Sequence, residues 1–541
     1  MKKNIFSLLS ILLLLSCSNN KEFNIVDYGA VADGKTINTQ FIQKAIDACH
    51  EKGGGKVIIP EGTFVTGTIY IKDNVNLHIE EKAILKGSPS FEDYPDNTVK
   101  YVNSFTHPNF GHTFGSKALI FAEGVRNVSI TGKGTIDGNG DNPVFQLGND
   151  ETAESRRRPC MMLFIDSKNI KVYDLNLRNS AYWLQNYLGC DTLHLKGLNI
   201  YNHTNFNQDA TDIDASNVLI EDCTIDADDD GICLKSHDAN RIVQNVTVRN
   251  CTIATNCNAV KFGTKSDGGF KNINISNCFI KKASEDNVRK WQENLEFIGQ
   301  PITVISGFAL ESVDGGIIED VNISDITMQD VQTPIFVIMG RRNVGQAGNQ
   351  DFYNSEKHGL DPTLKVGKVS NLTFKNITAT SNSKMTSSIS ASMGYYVENV
   401  TMENIKISTM GKGTLKEANT PLSEYSGSYP ENRMYGFVYP SSGLFLRHIK
   451  NVTLNNIELT VRYEDYRPAV ILDDLHNVTL NALNSDTPAG GNAVIQIENS
   501  TKISIRNPKI ASKKNAYLKL IKTAKSEIET QGFEPFNGWI K

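Results

Sequence analysis

Three carboxylates in the stretch NFNQDATDIDASNVLIEDCTIDADDDGICLKS are the residues most able to do chemistry: Asp209, Asp229 and Asp230. Asp209 precedes the pair by 20 and 21 residues, and Asn258 follows Asp230 by 28. A chain that winds coils of about this length stacks such residues one above another. Parallel strands run about 4.8 Å apart, so carboxylates one coil apart share a small patch of surface. Crowded carboxylates do not all ionise together. One is kept protonated and can donate, while another stays charged and can activate water.

The elements that would position these groups repeat along the chain. A phrase of Asn, an aliphatic residue, any residue and another apolar residue recurs at Asn127, Asn169, Asn217, Asn245, Asn272, Asn371, Asn399, Asn451 and Asn477, several intervals being 26 to 28 residues. Each phrase alternates like a strand and is too short for a helix, and a second strand usually follows within several residues. The rhythm predicts an all-β fold, a single right-handed parallel β-helix (solenoid), with the asparagines stacked in left-handed geometry at its turns. Ahead of it, Asn38 to Glu51 places Ile42, Ala45, Ile46 and Cys49 at helical spacing. This predicts an N-terminal helix that caps the first coil and covers its open edge.

Long loops are expected where the repeat stretches, over 281–301, 341–367 and 410–448, and loops on a rigid scaffold commonly build binding sites. The segment after STKISIRN reads as an end piece with a short helix. No linker separates a second domain, so the division is 1–17 as a leader and 18–541 as one β-helix domain.

The leader follows from Lys2 and Lys3, the apolar run Ile5 to Leu15, and then Ser16 and Cys17. This is the layout of an export signal. Leu14-Leu15-Ser16-Cys17 is similar to a bacterial lipobox, which would make Cys17 the lipidated first residue of an exported protein in the periplasm or at the cell surface. Removing Lys2 and Lys3 from 55 basic residues leaves 53 against 60 acidic ones. Such a balance argues against nucleic acid and gives no general help in capturing a polyanion. Membrane contact is expected through the lipid alone, with a monomeric state and no cofactor or metal. Of the eight other cysteines, Cys223, Cys251 and Cys278 fall 28 and 27 residues apart in matching contexts. They read as a stacked core column.

With these phrases in place the chain resembles glycoside hydrolase family 28, the polygalacturonases and their relatives, over nearly all of the mature length. FNIVDYGAVADGK, GGGKVIIPEGTF, GTIDGNG, RRRPCMMLFIDSKNI and NSAYW look like its N-terminal region and early coils. Asn207-Gln208-Asp209-Ala210 stands where the family has Asn-Thr-Asp-Gly, and Asp229-Asp230 stands at its paired Asp. The resemblance implies an inverting hydrolase of a pectic α-linkage, of galacturonide or rhamnogalacturonan type, with Asp229 as general acid and Asp209 and Asp230 on the base side. Inversion asks for about 6.5–9.5 Å between acid and base.

Two family phrases are altered. Gly-His-Gly becomes Cys257-Asn258-Ala259, and Arg-Ile-Lys becomes Ala309-Leu310-Glu311. In polygalacturonases those two cations grip the sugar carboxylate beside the cleaved bond. Candidate substrate contacts are accordingly Asn207, Asn258, Lys261, Glu311, Arg447 and His448. Lys261 faces out if Val260 and Phe262 face in, and either pairs with Glu311 or meets substrate. Arg341, Arg342 and Arg467 are further cations in or beside the long loops. Three readings compete. Asp226 to Gly231 matches the start of a calcium loop, although His237 holds the position that needs Glu. A β-helix polysaccharide lyase would need a basic Lys or Arg. A non-catalytic, glycan-binding surface lipoprotein would keep the shape alone.

Overall fold

A computed structural model describes residues 21–101, 117–147, 157–285, 304–341, 365–422, 424, 431–436, 438–511 and 515–541. Among the described residues 34 strands join in one sheet, and strands within the stack pair in parallel with the coil before and the coil after. This is a right-handed parallel β-helix. Alternation explains it locally. Along each strand every second side chain turns into the solenoid, so Ile213, Leu234, Phe262, Leu310, Val337 and Leu446 stack inside, all at most 1 % exposed. Each such side chain contributes about 1.5–3 kcal/mol of burial. No single coil could bury its apolar face alone.

The helix α1 (Thr39–Glu51) buries Ile42, Ala45, Ile46 and Cys49 against the first coil. It is the expected cap, and it starts one residue later than the sequence pattern suggested. At the other end the chain departs from expectation. In place of an α-helix, strands Leu518–Ile521 and Ile528–Gln531 continue the stack, with only a three-residue 3-10 turn at Lys525–Glu527 between them.

All nine phrase asparagines adopt φ between 55° and 63°. Their amides form a ladder: Asn245 Nδ2 donates to Asn217 Oδ1 at 2.9 Å, and Asn272 Nδ2 to Asn245 Oδ1 at 2.8 Å. Left-handed geometry costs an ordinary L-residue about 1–2 kcal/mol, and Asn offsets this with side-chain bonds to its neighbours. Asn245→Ala should therefore lower stability by about 2 kcal/mol and Asn245→Gly by about half of that, as read by urea unfolding. Equal losses in both variants would show that the ladder bonds alone matter.

Cys223, Cys251 and Cys278 are buried and free. Each thiol donates to the carbonyl two residues before it, at 3.2–3.3 Å, which agrees with a core column. The third expected loop is largely described and contains a one-turn helix, Leu415–Ala418, closed by a Thr414–Glu417 capping box. Most of the first loop (from residue 286) and of the second (342–364, including Arg342) lies outside the described residues, as do the leader and Cys17.

Candidate active site

Five successive strands carry the site: β1 (Thr211–Glu221), β2 (Ile232–Ser236), β3 (Asn258–Ser266), β4 (Ser306–Ser312) and β5 (Thr333–Met339). Thr211 pairs with Ile232, Ile232 with Val260 and Val260 with Phe308. Just before these strands, Ala210 N donates to Asp230 O and Gly231 N to Asn258 O, each at 2.9 Å. Asp209, Asp230 and Asn258 thus occupy matching places on three successive coils, as their spacing predicts.

The loop holding Asp209 is pinned from below. Arg158, fully buried over the Tyr182 ring at 4.5 Å, donates to Phe206 O at 2.6 Å and to Asn207 Oδ1 at 3.1 Å. Asn207 sits at φ 56° with its side-chain oxygen engaged by this arginine. Its position makes it a fastening for Asp209.

Asp230 is the most firmly defined carboxylate. Oδ1 accepts from Asn258 N at 3.2 Å and Asn258 Nδ2 at 2.8 Å; Oδ2 lies 3.2 Å from Lys261 Nζ. Burial alone would raise its pKa, but Lys261 and Lys235 outweigh burial and hold it below the ordinary carboxylate range. Asn258, at the family's histidine position, is therefore a support for Asp230. Lys261 faces outward as expected, and its ammonium is drawn to Asp230. Asp229 Oδ1 accepts from Asp230 N at 2.9 Å, and an oxygen of each lies within 4.8 Å of the other and of Cys257 Sγ.

Two members of the cluster were not expected. Asp212 on β1 and Lys235 on β2 both face outward, with Lys235 Nζ 3.6 Å from Asp212 and 4.0 Å from Asp209. Burial, then the charges of Asp229 and Asp212, push the Asp209 carboxyl well up. This is a different environment from the ionised base implied by resemblance, and it arises because Asp209 shares one buried patch with three other acids. Burial also raises Asp212, to about 6, against the pull of Lys235. Lys235 is disfavoured by burial, yet the acidic groups around it hold its pKa above the usual lysine range.

The raised Asp212 value has a measurable consequence. Between about pH 4 and 6 the folded state keeps a proton that the unfolded chain has released, so stability falls as pH rises through that window. Asp212→Asn should therefore stabilise the protein at pH 7.5 by about 1–3 kcal/mol, with the gain gone by pH 4. A variant destabilised at both pH values would contradict this.

Other candidates sit elsewhere. Glu311 on β4 is fully buried against Gly263, so it presents no carboxylate to the cleft surface. Arg447 and His448 lie on strand β7 (Leu444–Val461), beyond β6 (Ser387–Ala391). Lys261 aligns with Ala309, Phe336, Ser388 and Phe445 in turn, which puts β7 four coils away, roughly 19 Å. There Arg447 binds Asp473 at 2.8 Å, and His448 bridges Asp474 and Glu424 at 2.7 and 2.9 Å. These contacts tie the third loop to the solenoid. Arg341 lies over Tyr395. Arg467 is wholly internal, paired with Asp465, a correction to its reading as a cleft cation. Asp226 meets His203 at 2.8 Å and accepts Ser284 N, so it serves as a loop anchor in place of the calcium ligand considered above.

The polar strip is bounded at both ends. Toward the N-terminus, Tyr101 and Trp183 pack over Leu163, Tyr182 and Leu188. Arg241 joins Tyr101 Oη at 3.3 Å to Asp214 at 3.9 Å. Gly189, at φ 69°, lets the Tyr101 ring lie where a Cβ would be 2.6 Å from it. Toward the C-terminus, Met434 and Tyr435 pack over Ala309, Val313, Phe336 and Ile338.

Known proteins share much of this sequence pattern and its fold. The profile of glycosyl hydrolases family 28 matches residues 49–290 and 309–427. The chain is 38% identical over 122 residues to an exo-poly-alpha-D-galacturonosidase of Dickeya chrysanthemi, covering 22% of this chain and 20% of that one. It is 26% identical over 279 residues to a probable polygalacturonase of Vitis vinifera, covering 49% and 56%. These matches span a fifth and about half of the relatives' lengths. In structure it is similar to an exopolygalacturonase of Thermotoga maritima (TM-score 0.59, 20% identity, 81% and 92% coverage) and to a family 28 exopolygalacturonase of Yersinia enterocolitica (0.54, 17%, 89% and 78%). With the profile matched through the stretch that carries the paired carboxylates and over more than half of its length, the chain belongs to glycosyl hydrolases family 28.

Proposed function

We propose that the protein is a glycoside hydrolase that cleaves an α-linkage of a pectic polysaccharide or oligosaccharide with inversion. One observation carries the reading: Asp230 is held ionised by Lys261 and Asn258, while its neighbour Asp209 is pushed toward its protonated form beside Asp229. That division keeps a proton on Asp209, beside Asp229, and lets Asp230 orient and deprotonate water. Asp229 delivers the proton to the leaving oxygen, and water attacks the opposite face of the sugar. Asp209 gains charge as the proton leaves and helps hold the water.

The aromatic plugs at both ends of the strip favour action at the end of a short chain over cleavage within a long one. The exo-acting names of three relatives point the same way. Lys235 lies among acids that hold its charged form, so it is unsuited to be the neutral base that a lyase requires, and Lys261 is occupied by its ion pair with Asp230. Residues 1–17 would export the protein, and Cys17 would carry a lipid anchor at a bacterial membrane, the enzyme acting as a monomer.

The test is chromatographic product analysis on polygalacturonan, rhamnogalacturonan and their oligosaccharides, with Asp229→Asn as reference and with chelator present or absent. Saturated sugars released by the wild type alone, with or without chelator, are expected. Unsaturated products that need metal would replace hydrolysis with elimination. Equal binding by both proteins with no cleavage would make this a glycan-binding β-helix.

A further inference from the structure

The hydrogen-bonding character of the cleft narrows the substrate, given the hydrolase reading above. Asp212 and Asn258 are both over nine-tenths buried. Among the described residues no hydrogen bond reaches either carboxylate oxygen of Asp212, whose Oδ1 has only the Lys235 ammonium at 3.6 Å, or the amide oxygen Oδ1 of Asn258. Asp212 faces outward on β1 between the inward Thr211 and Ile213, and Asn258 heads β3 beside Asp230. The unanswered atoms are thus all acceptors. A buried acceptor left without a donor costs about 1–3 kcal/mol, so a ligand that supplies donors here is favoured.

Charge points the same way. Four aspartates, 209, 212, 229 and 230, share the patch with two lysines. Lys261 is drawn to Asp230 at 3.2 Å, and Lys235 to Asp212 at 3.6 Å and Asp209 at 4.0 Å. Crowding already pushes Asp209 toward its neutral form, and a further carboxylate brought by a ligand would meet the same repulsion. On the next coil, beside Lys261, Ala309 is part of an apolar cluster under Met434 and Tyr435, and among the described residues of β4 no cation stands there to meet a carboxylate.

We infer that the sugar seated against Asp212, Asn258 and Lys261 is neutral, recognised through its hydroxyl donors and not through a uronate carboxylate. A uronate carboxylate is acceptor-only when ionised, whereas each hydroxyl can donate. The substrate is then a pectic chain that carries a neutral sugar next to the cut. Asp212 and Asn258 select it, and Asp212 disfavours the acidic alternative by like charge.

The experiment compares an oligogalacturonate with its carboxyl-reduced counterpart and with a rhamnogalacturonan oligosaccharide. Affinities are measured by calorimetry on the Asp229→Asn protein and cleavage rates on the wild type. Oligosaccharides with neutral sugars should bind at least tenfold more tightly than the oligogalacturonate. Asp212→Asn, which supplies a donor and removes a charge, should narrow that gap at least threefold. Equal or tighter binding of the oligogalacturonate overturns the inference, and if that compound is also cleaved the hydrolase reading survives alone. An unchanged gap in Asp212→Asn removes Asp212 from the explanation and overturns its assigned role. Tenfold selectivity in binding with no cleavage of any compound would keep the inference about the site and discard hydrolysis. Failure of all three to bind or react discards both.

Discussion

Asp229→Asn should lower kcat by about 10³-fold, within the 10²–10⁴ that a positioned acid typically contributes, while KM stays within a few-fold of wild type. The amide preserves the shape, and its oxygen can still accept from Asp230 N, as Asp229 Oδ1 does at 2.9 Å. What it lacks is a proton for the leaving oxygen. A substrate with a leaving group good enough to depart unprotonated should regain much of the rate. That rescue separates loss of acid catalysis from loss of shape. The pH profile offers a second check. Asp230 is held below the ordinary carboxylate range by Lys261 and Lys235 against burial, so the ionised base persists on the acidic side and the acid limb should lie below about pH 4. Lys261→Met removes the nearest counter-charge and should move that limb upward. An unmoved limb with full activity in Asp229→Asn would remove both residues from their assigned roles.

Arg467→Leu should destabilise the fold by about 3–5 kcal/mol, the usual consequence of leaving one member of a buried ion pair alone. Arg467 is fully buried. Its guanidinium holds Asp465 through Nη2 at 2.7 Å and Nε at 3.0 Å, and also reaches Lys384 O at 2.7 Å and Tyr439 O at 3.1 Å. Asp465 in turn accepts from Gly413 N at 2.9 Å. One side chain therefore ties four segments, including both sides of the long third loop. The double variant Arg467→Leu/Asp465→Leu should recover part of the loss, because no unpaired charge remains. Urea unfolding reads both effects. If Arg467 were a substrate ligand, Arg467→Leu would instead keep its stability and raise KM.

The solenoid was legible in the sequence because its two determinants are periodic and local. An inward apolar residue at every second strand position and an asparagine at each turn recur whether or not a partner coil is known. Asn217, Asn245 and Asn272 announced their own φ values, and Ile42, Ala45, Ile46 and Cys49 announced the capping helix. The same arithmetic brought Asp209, Asp230 and Asn258 onto neighbouring coils, since coil length sets the stacking. The outward placement of Lys261 followed from Val260 and Phe262. The same alternation, applied around Ile213 and Leu234, would also have found Asp212 and Lys235.

Only the tertiary structure decided what each polar group faces. Arg447, His448 and Arg467 read alike as loop cations. Their distance along the solenoid and the partners Asp473, Asp474, Glu424 and Asp465 make them fastenings, because pairing depends on segments far apart in the chain. Arg158 gave no sign that it pins the Asp209 loop. Nor could spacing reveal that Asp230 would be stabilised in its charged form while Asp209 is pushed toward neutrality, since burial and neighbouring charge set a pKa and both exist only after folding. The sequence alone determined the coil and the carboxylates it carries. The folded chain decided which of them keeps its charge, because that depends on the distance to lysines on adjacent coils and on the water excluded between them.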